Sequence, residues 1–133
     1  MTSPILESMR AVHAALTGDA ALMGRVSGVY GRIPEESAFP YVSYFTVDAF
    51  EDDAECITST RMTLQVDIWG RDVSPAPVYE IESEVKRVLH NAPLALTDNA
   101  MVFIKWDISR DLPDPDGLTH HRAMTFTIVT EDN

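Results

Sequence analysis

Two pairs of residues carry side chains able to do chemistry: His120 with His121, and Asp114 with Asp116 ahead of Gly117. Imidazole and carboxylate groups bind metals and exchange protons, so a hydrolytic site built from these two pairs is one hypothesis. Neighbouring residues of a strand point to opposite faces, however, so the two histidines cannot readily share a metal ion. The aspartates resemble the start of a calcium-binding loop, but its later ligands are missing. The sequence therefore favours ordinary strand residues for the histidines and a plain turn for the aspartates.

The other reactive residue types are isolated from one another. Cys56 is the single cysteine, so it cannot form an internal disulfide. It lies in an acidic segment, and the nearby negative charges disfavour a reactive thiolate. His13 falls near the apolar side of a predicted helix, and His90 lies at the end of another helix, where a positive charge is favoured. The sequence contains no glycine-rich phosphate loop and no serine elbow. We therefore expect no catalytic residue, no metal ligand and no cofactor.

The charge of the chain limits its partners. There are 21 Asp and Glu residues against 10 Lys and Arg, which gives a formal net charge of -11. A surface that binds nucleic acid tightly needs clustered cations, and here only Lys86 and Arg87 are adjacent. The sequence thus argues against tight binding of DNA or RNA, although an acidic protein can lie beside DNA that slides past it.

The length and hydropathy indicate a globular protein. The chain has 133 residues, of which 45% are hydrophobic and 23% charged, and this fits one domain over residues 1–133. No apolar run approaches the roughly 18 residues that cross a bilayer, so we expect no membrane association. We expect the chain to be synthesised in a cytoplasm.

Two amphipathic helices are predicted to position the rest of the chain. Ser3 and Pro4 are typical of a helix start, and apolar residues then recur at helical spacing up to Leu16. Ser74 and Pro75 repeat this start signal ahead of a second apolar stripe, which ends near residues 91–93. A further short turn follows a cap at Asp19, as far as Met23. The predicted elements between and after the helices are strands at 29–33, 41–47, 58–69, 101–109 and 119–130, with an acidic connection at 51–55 and a turn-rich loop at 111–118.

This order predicts an α+β fold: an antiparallel or mixed β-sheet with two α-helices packed on one face and a projecting long β-hairpin over residues 41–69. Strand 41–47 has apolar residues on both faces, so we expect both faces to be covered there. Side chains that alternate toward the helices are expected to be Met62, Leu64, Val66 and Ile68 in one strand, Val102, Ile104, Trp106 and Ile108 in the next, and Met124, Phe126 and Ile128 in the last.

The other face of the sheet is mildly polar, so it is either solvated or packed against another chain. Aromatic and arginine side chains concentrate in the cores of protein interfaces. On that ground Trp69 and Arg71 at a strand end, with Phe50 near the hairpin tip, are candidate anchors, although Trp69 has the equal alternative of covering the edge of its own domain. The full set of predicted subunit or partner contacts is Phe50, Asp52, Asp53, Arg61, Trp69, Arg71, Asp114 and Asp116.

The order of segments resembles a known family. The segments that carry the resemblance are the opening helix at 5–16, the turn at 20–22, residues 29–34, the Phe39, Pro40, Tyr41 and Val42 segment that opens a strand, residues 64–69 ahead of a helix, the turn at 114–117 and the strand at 122–129. Together they cover almost the whole chain. They resemble the tail terminator proteins, also called tail completion or head-tail joining proteins, of long-tailed phages and gene transfer agents.

The resemblance implies a structural role in a virion or gene transfer agent particle. In this family the expected assembly is a homo-oligomeric ring, a hexamer, that caps the tail tube protein, ends its polymerisation and joins the tail to a head completion or neck protein. DNA would pass through the channel without being tightly bound. The family brings no catalytic residues, and the expected location is the tail-neck junction.

Two other classes of function stay open at this point. A small-ligand or regulatory binding module would need a concave apolar pocket between the helices and the sheet. A hydrolytic enzyme would need His120 or His121 to act together with Asp114 or Asp116.

Overall fold

The computed structural model describes residues 2–132 and contains three helices and one mixed five-stranded sheet, in the strand order β1-β2-β3-β5-β4. The short β1 pairs parallel to β2, and the other neighbouring strands are antiparallel. The elements in chain order are α1 (Pro4–Thr17), α2 (Ala20–Met23), β1 (Val29–Tyr30), β2 (Tyr41–Glu51), β3 (Ser59–Gly70), α3 (Ala76–Leu89), β4 (Asn99–Pro113) and β5 (His120–Asp132).

The helices begin close to where the sequence predicts. The Ser3 side chain accepts a hydrogen bond from the backbone N–H of Leu6 at the start of α1, and the Asp19 side chain accepts one from Leu22 N–H at the start of α2. In α3 the cap position is Pro75, one residue later than predicted, while Ser74 Oγ accepts a hydrogen bond from Ala76 N–H. These oxygens satisfy backbone donors that a helix start leaves without a partner.

All three helices join one core on the same face of the sheet, which we call the inner face. Residues of each helix belong to one buried cluster with the sheet: Val12 and Leu16 of α1, Leu22 of α2, and Ile81 and Val85 of α3. The strand residues beneath them are fully buried, as the alternation predicts: Met62, Leu64, Val66, Ile68, Ile104, Met124, Phe126 and Ile128. The predicted α+β class, with the long helices on one face, is therefore confirmed.

The strand β4 departs from its predicted alternation. Irregularities in its pairing with β5 lie between Met101 and Phe103 and between Trp106 and Ile108. Each inserted residue reverses the facing of the residues beyond it. As a result Ile104 and Trp106 face the helices as predicted, but Val102 and Ile108 are 47% and 56% exposed, and that part of the prediction is wrong.

The strand β2 also differs from its prediction. A bulge lies between Thr46 and Asp48, and the strand continues to Glu51. Tyr41 is buried, but Phe45 and Val47 are each about half exposed, so within one copy of the chain this half of the strand is not covered on both faces.

One connection is shorter than the sequence indicates, and the predicted long hairpin is part of the sheet. Strand β4 runs to Pro113, so the loop predicted at 111–118 is a turn over residues 114–119. Strand β3 pairs with β5 from Ser59 to Gly70, so the predicted hairpin is embedded in the sheet, and its projection from the body is not confirmed. Within residues 2–132 no helix is long and apolar enough to cross a membrane.

Candidate assembly surface

The eight predicted contact residues fall into two groups at opposite ends of the sheet. Phe50, Asp52, Asp53 and Arg61 lie where β2 turns into β3, and the other four lie where β3 ends and β4 turns into β5. Strand β5 spans the distance between these ends with 13 residues, which corresponds to about 40 Å. One binding site cannot include both groups, so each end of the sheet must be considered separately.

The first group holds the acidic hairpin turn in place. Arg61 Nε donates a hydrogen bond of 3.1 Å to Asp52 Oδ2, and Asp53 Oδ1 accepts one of 2.9 Å from Ser59 N–H. Phe50, opposite Arg61 in the ladder, is 53% exposed. Three of these residues thus have structural partners, and Phe50 is the one with a large free apolar surface.

In the second group, Arg71 and Asp116 join the end of β3 to the β4–β5 turn. Arg71 Nη2 donates to Asp116 Oδ2 at 3.1 Å, and its Nε donates to Thr119 Oγ1 at 3.0 Å. Asp116 also accepts hydrogen bonds from the backbone N–H groups of Leu118 and Thr119, and mainly these bonds hold the pKa of Asp116 well below its ordinary value. Asp114 Oδ1 accepts from Asp116 N–H within the same turn. The contacts of these aspartates are those of a turn.

Trp69 packs against its own chain. Its ring stacks on His121, with the centroids 3.7 Å apart and the planes at 15°, and on Tyr41 at 6.3 Å. Its Nε1 donates a hydrogen bond of 3.1 Å to Ser43 Oγ. This geometry favours the alternative in which Trp69 covers the edge of its own domain. Only the part of the indole group that Tyr41 and His121 leave free can contact a partner.

The two histidines lie on different faces of β5 and have different partners. His120 Nε2 lies 2.8 Å from the carbonyl oxygen of Asp72, whereas His121 Nε2 lies 2.7 Å from Oδ1 of the buried Asp67. Asp67 Oδ1 also accepts a hydrogen bond from Gln65. Across residues 2–132 no group of three or more His, Cys, Asp or Glu side chains is placed to hold a metal ion. The alternative enzyme constellation is not assembled. The two histidines pair with Asp67 and with the backbone of Asp72, while Asp116 pairs with Arg71 and Asp114 bonds within its own turn.

A ligand site of the predicted kind would lie between the helices and the sheet, where the core side chains are fully buried. A surface cleft of about 160 Å³ lies beside α3 and includes Phe39, Arg71 and Val78. Pockets for drug-sized ligands usually measure about 300–1,000 Å³. Two surface clefts along α1 reach this range, one of about 420 Å³ lined by Glu7 and Asp98 and one of about 390 Å³ lined by Met9 and Tyr44. Both are open to solvent, whereas the binding-module alternative needs a pocket between the helices and the sheet.

Sequence reasoning named Phe50 as a contact but missed Phe45 and Ile108, which are exposed on the same face of the sheet. The sheet face opposite the helices, which we call the outer face, carries Phe45 and Phe50 along β2 and Ile108 along β4, each about half exposed. Phe45 and Ile108 lie beside the bulges in the two strands. The only sequence signal for their exposure is a break in the alternation of apolar and polar residues along each strand. This break cannot be recognised as a bulge without knowing which strand pairs with it.

The fold has known counterparts. A chain in the structure of the virion of a native gene transfer agent particle superposes with a TM-score of 0.88 at 17% sequence identity, over 98% of this chain and 99% of that chain. The bacteriophage SPP1 gp17 protein superposes with a TM-score of 0.62 at 20% identity, over 90% of this chain and 86% of that chain. These identities establish a shared fold. No curated protein matches the sequence.

The family is established by the sequence itself. A family model described as tail completion protein gp17 matches residues 10–131, from the first helix through the last strand. This confirms the resemblance that the order of segments indicates. The chain belongs to the tail completion protein gp17 family, and it is a structural, non-enzymatic component of a virion tail.

Proposed function

We propose that this chain forms a hexameric ring that caps the tail tube, ends its polymerisation and joins the tail to the head or neck. The match of the tail completion family to residues 10–131 carries the proposal. A cap that joins two different assemblies needs two distinct ends and a way to contact its own copies. Two features of the fold support the proposal: its two hairpin turns lie at opposite ends of the sheet, and its outer face exposes apolar side chains.

The partners are assigned to the two ends. With the strands directed along the ring axis, the acidic turn at 52–58 and the turn at 114–119 face opposite directions. One turn contacts the tail tube protein and the other contacts the head completion or neck protein. The predicted contacts Asp52 and Asp53 serve the first end, while Arg71, Asp114 and Asp116 serve the second.

Passage of DNA through the ring agrees with the charge of the chain. A hexamer of a chain with a net charge of -11 repels the phosphate backbone. A channel with this charge conducts DNA without holding it.

Particles assembled without this chain test the function. We expect tail tubes of uncontrolled length that do not join heads, and restoration of both length and joining when the chain is supplied. Tails of normal length on joined particles, measured by electron microscopy, would contradict the proposed function.

A further inference from the structure

The two edges of the sheet are open and lie on opposite sides of the molecule. Strand β4 is the last strand on one side, and on the other side β1 pairs only with Val42 and Ser43 of β2, which leaves the remainder of β2 as an edge. Both edges carry bulges, which interrupt the regular ladder and disfavour indefinite extension of the sheet. Contacts at these edges are therefore made mainly by side chains.

The register relates the residues of these two edges row by row. On the outer face, a row of paired residues crosses the sheet from β2 through β3 and β5 to β4. Three consecutive rows are Phe45–Gln65–Thr125–Ile108, Asp48–Thr63–Thr127–Lys105 and Phe50–Arg61–Val129–Phe103. We call these the three edge rows.

The ends of each edge row are chemically complementary. The first row ends in two exposed apolar residues, Phe45 and Ile108. The second ends in opposite charges, Asp48 and Lys105, both exposed, and among the ion pairs within residues 2–132 neither takes part. The third row ends in two aromatic rings, Phe50 and Phe103, and the Phe103 ring has the Lys105 ammonium group 4.9 Å from its centroid.

We propose that copies of this chain contact one another head to tail through the three edge rows, so that the β2 edge of one copy meets the β4 edge of the next. This inference rests on the proposed ring and names its subunit interface. A contact between two different edges is heterologous, and such contacts form a ring when the rotation between copies closes. Copies related by rotation alone meet at equal heights along the axis. With the strands along that axis, each edge row of one copy meets the same row of the next, apolar with apolar and acid with base.

Charge reversal with mixing tests the second edge row. Asp48→Lys leaves both ends of the row basic, and Lys105→Asp leaves both ends acidic. Because like charges then face each other at every subunit contact, each variant alone is expected to need at least about tenfold more protein for half assembly. An equimolar mixture of the two variants restores complementary contacts and forms rings of alternating subunits, and so does the double variant alone. Native mass spectrometry and negative-stain electron microscopy measure ring formation.

The matched control variants change the net charge by the same amount, but on the exposed loop before β2. Glu35→Lys adds two positive units and Arg32→Asp adds two negative units, and both variants are expected to assemble like the parent. If the controls lose assembly as strongly as the edge variants, or if mixing does not restore rings, the edge pairing is wrong.

Crosslinking of the unchanged protein gives an independent readout. Asp48 and Lys105 of one chain are separated by three strand spacings, about 14 Å, which is too far for a zero-length carbodiimide link. A linked Asp48–Lys105 peptide must then join two copies, and rings made from isotopically light and heavy protein are expected to yield the mixed-mass form. The other lysine, Lys86, lies 4.0 Å over the Trp106 ring on the helix side and is expected to form no link with Asp48.

The outcomes separate this inference from the proposed function. Rings that form equally well from Asp48→Lys or Lys105→Asp alone, without an Asp48–Lys105 link, overturn the edge pairing and leave the capping function intact. Absence of rings both in the purified parent protein and in assembled particles overturns the two proposals together.

Discussion

Single residues explain how irregular segments are fixed to this fold, and Glu7 is the clearest case. It lies on α1 and is 8% exposed, yet its carboxylate has no cationic partner in the ion pairs of residues 2–132. Its oxygens instead accept hydrogen bonds from the backbone N–H groups of Thr97, Asp98 and Asn99, at distances from 2.7 to 3.3 Å. The start of β4 is thus attached to the first helix by one side chain.

We expect Glu7→Gln to lower the free energy of unfolding by about 1–3 kcal/mol, because the amide replaces one accepting oxygen with a donor that faces backbone donors. Urea unfolding followed by tryptophan fluorescence measures the change. The matched control is Glu80→Gln, which removes a largely exposed ion pair with Arg25 and is expected to cost less than about 1 kcal/mol. Equal losses for the two variants would contradict the role assigned to Glu7.

Asp116 gives a prediction about pH. Its pKa is lowered in the folded protein, mainly by the backbone N–H groups of Leu118 and Thr119, so its ionised form stabilises the β4–β5 turn. That stabilisation is fully present above the pKa of the unfolded state, near pH 4, and is lost as the pH falls toward the folded value. We expect Asp116→Asn to be less stable than the parent at pH 7 and the difference to shrink below about pH 4. Urea midpoints across this range measure it, and a difference that grows on acidification would exclude the mechanism.

At the scale of elements, the position of a residue along its strand decides whether its own domain covers the side chain. Trp69 and Phe45 are both aromatic residues on the outer face. Trp69 is enclosed by Tyr41 and His121 and pairs with β2 next to the residues that β1 covers. Phe45 lies farther along β2, just beyond the part that β1 covers. The same residue class therefore has two different environments on one sheet.

We expect Trp69→Ala to lower the free energy of unfolding by about 2–4 kcal/mol, because it removes two stacking contacts and a hydrogen bond. Phe45→Ser is expected to change stability by about 0.5 kcal/mol or less and to reduce ring formation instead. Thermal unfolding and native mass spectrometry separate the two effects. Trp69→Phe, which retains the stacking, is the control, and loss of assembly in Trp69→Ala without loss of stability would instead indicate a subunit contact.

At the scale of the whole molecule, acidic groups concentrate at one end of the sheet. The turn after β2 carries Asp52, Asp53 and Glu55, and Asp98 and Asp132 lie at the neighbouring ends of β4 and β5. Arg61 is paired with Asp52 at this end. In the proposed ring this end contacts a partner or the passing DNA.

We expect the double change of Asp52 and Asp53 to Lys to reduce DNA delivery by assembled particles, because cations near the channel attract phosphate and partner docking loses its charge pattern. The domain is expected to stay folded, although the loss of the Arg61 pair and of the bond to Ser59 lowers its stability by about 1–2 kcal/mol. Delivery assays alongside unfolding curves measure both effects. The double change of Glu35 and Glu36 to Lys is the matched control. Equal DNA delivery by the Asp52 and Asp53 double variant and by the parent would contradict a role of this turn in delivery.

The sequence by itself determined the local elements and the family. Apolar spacing in 5–16 and 78–89 and alternation in 62–68 place side chains on one face through backbone geometry alone, so α1, α3 and the centre of β3 follow from the residue order. The order of such segments along the chain was also enough to indicate the tail completion family.

Only the tertiary structure decided which residues lie along the same edge of the sheet and which side chains already have a partner within the chain. The bulges in β2 and β4 depend on the partner strand, so neither the exposure of Ile108 nor the alignment of Asp48 with Lys105 can be read from a single segment. Trp69 likewise met His121, a residue 52 positions away, only when β3 and β5 paired. Surfaces for assembly are made by contacts between distant segments, and these contacts are set by the pairing of strands.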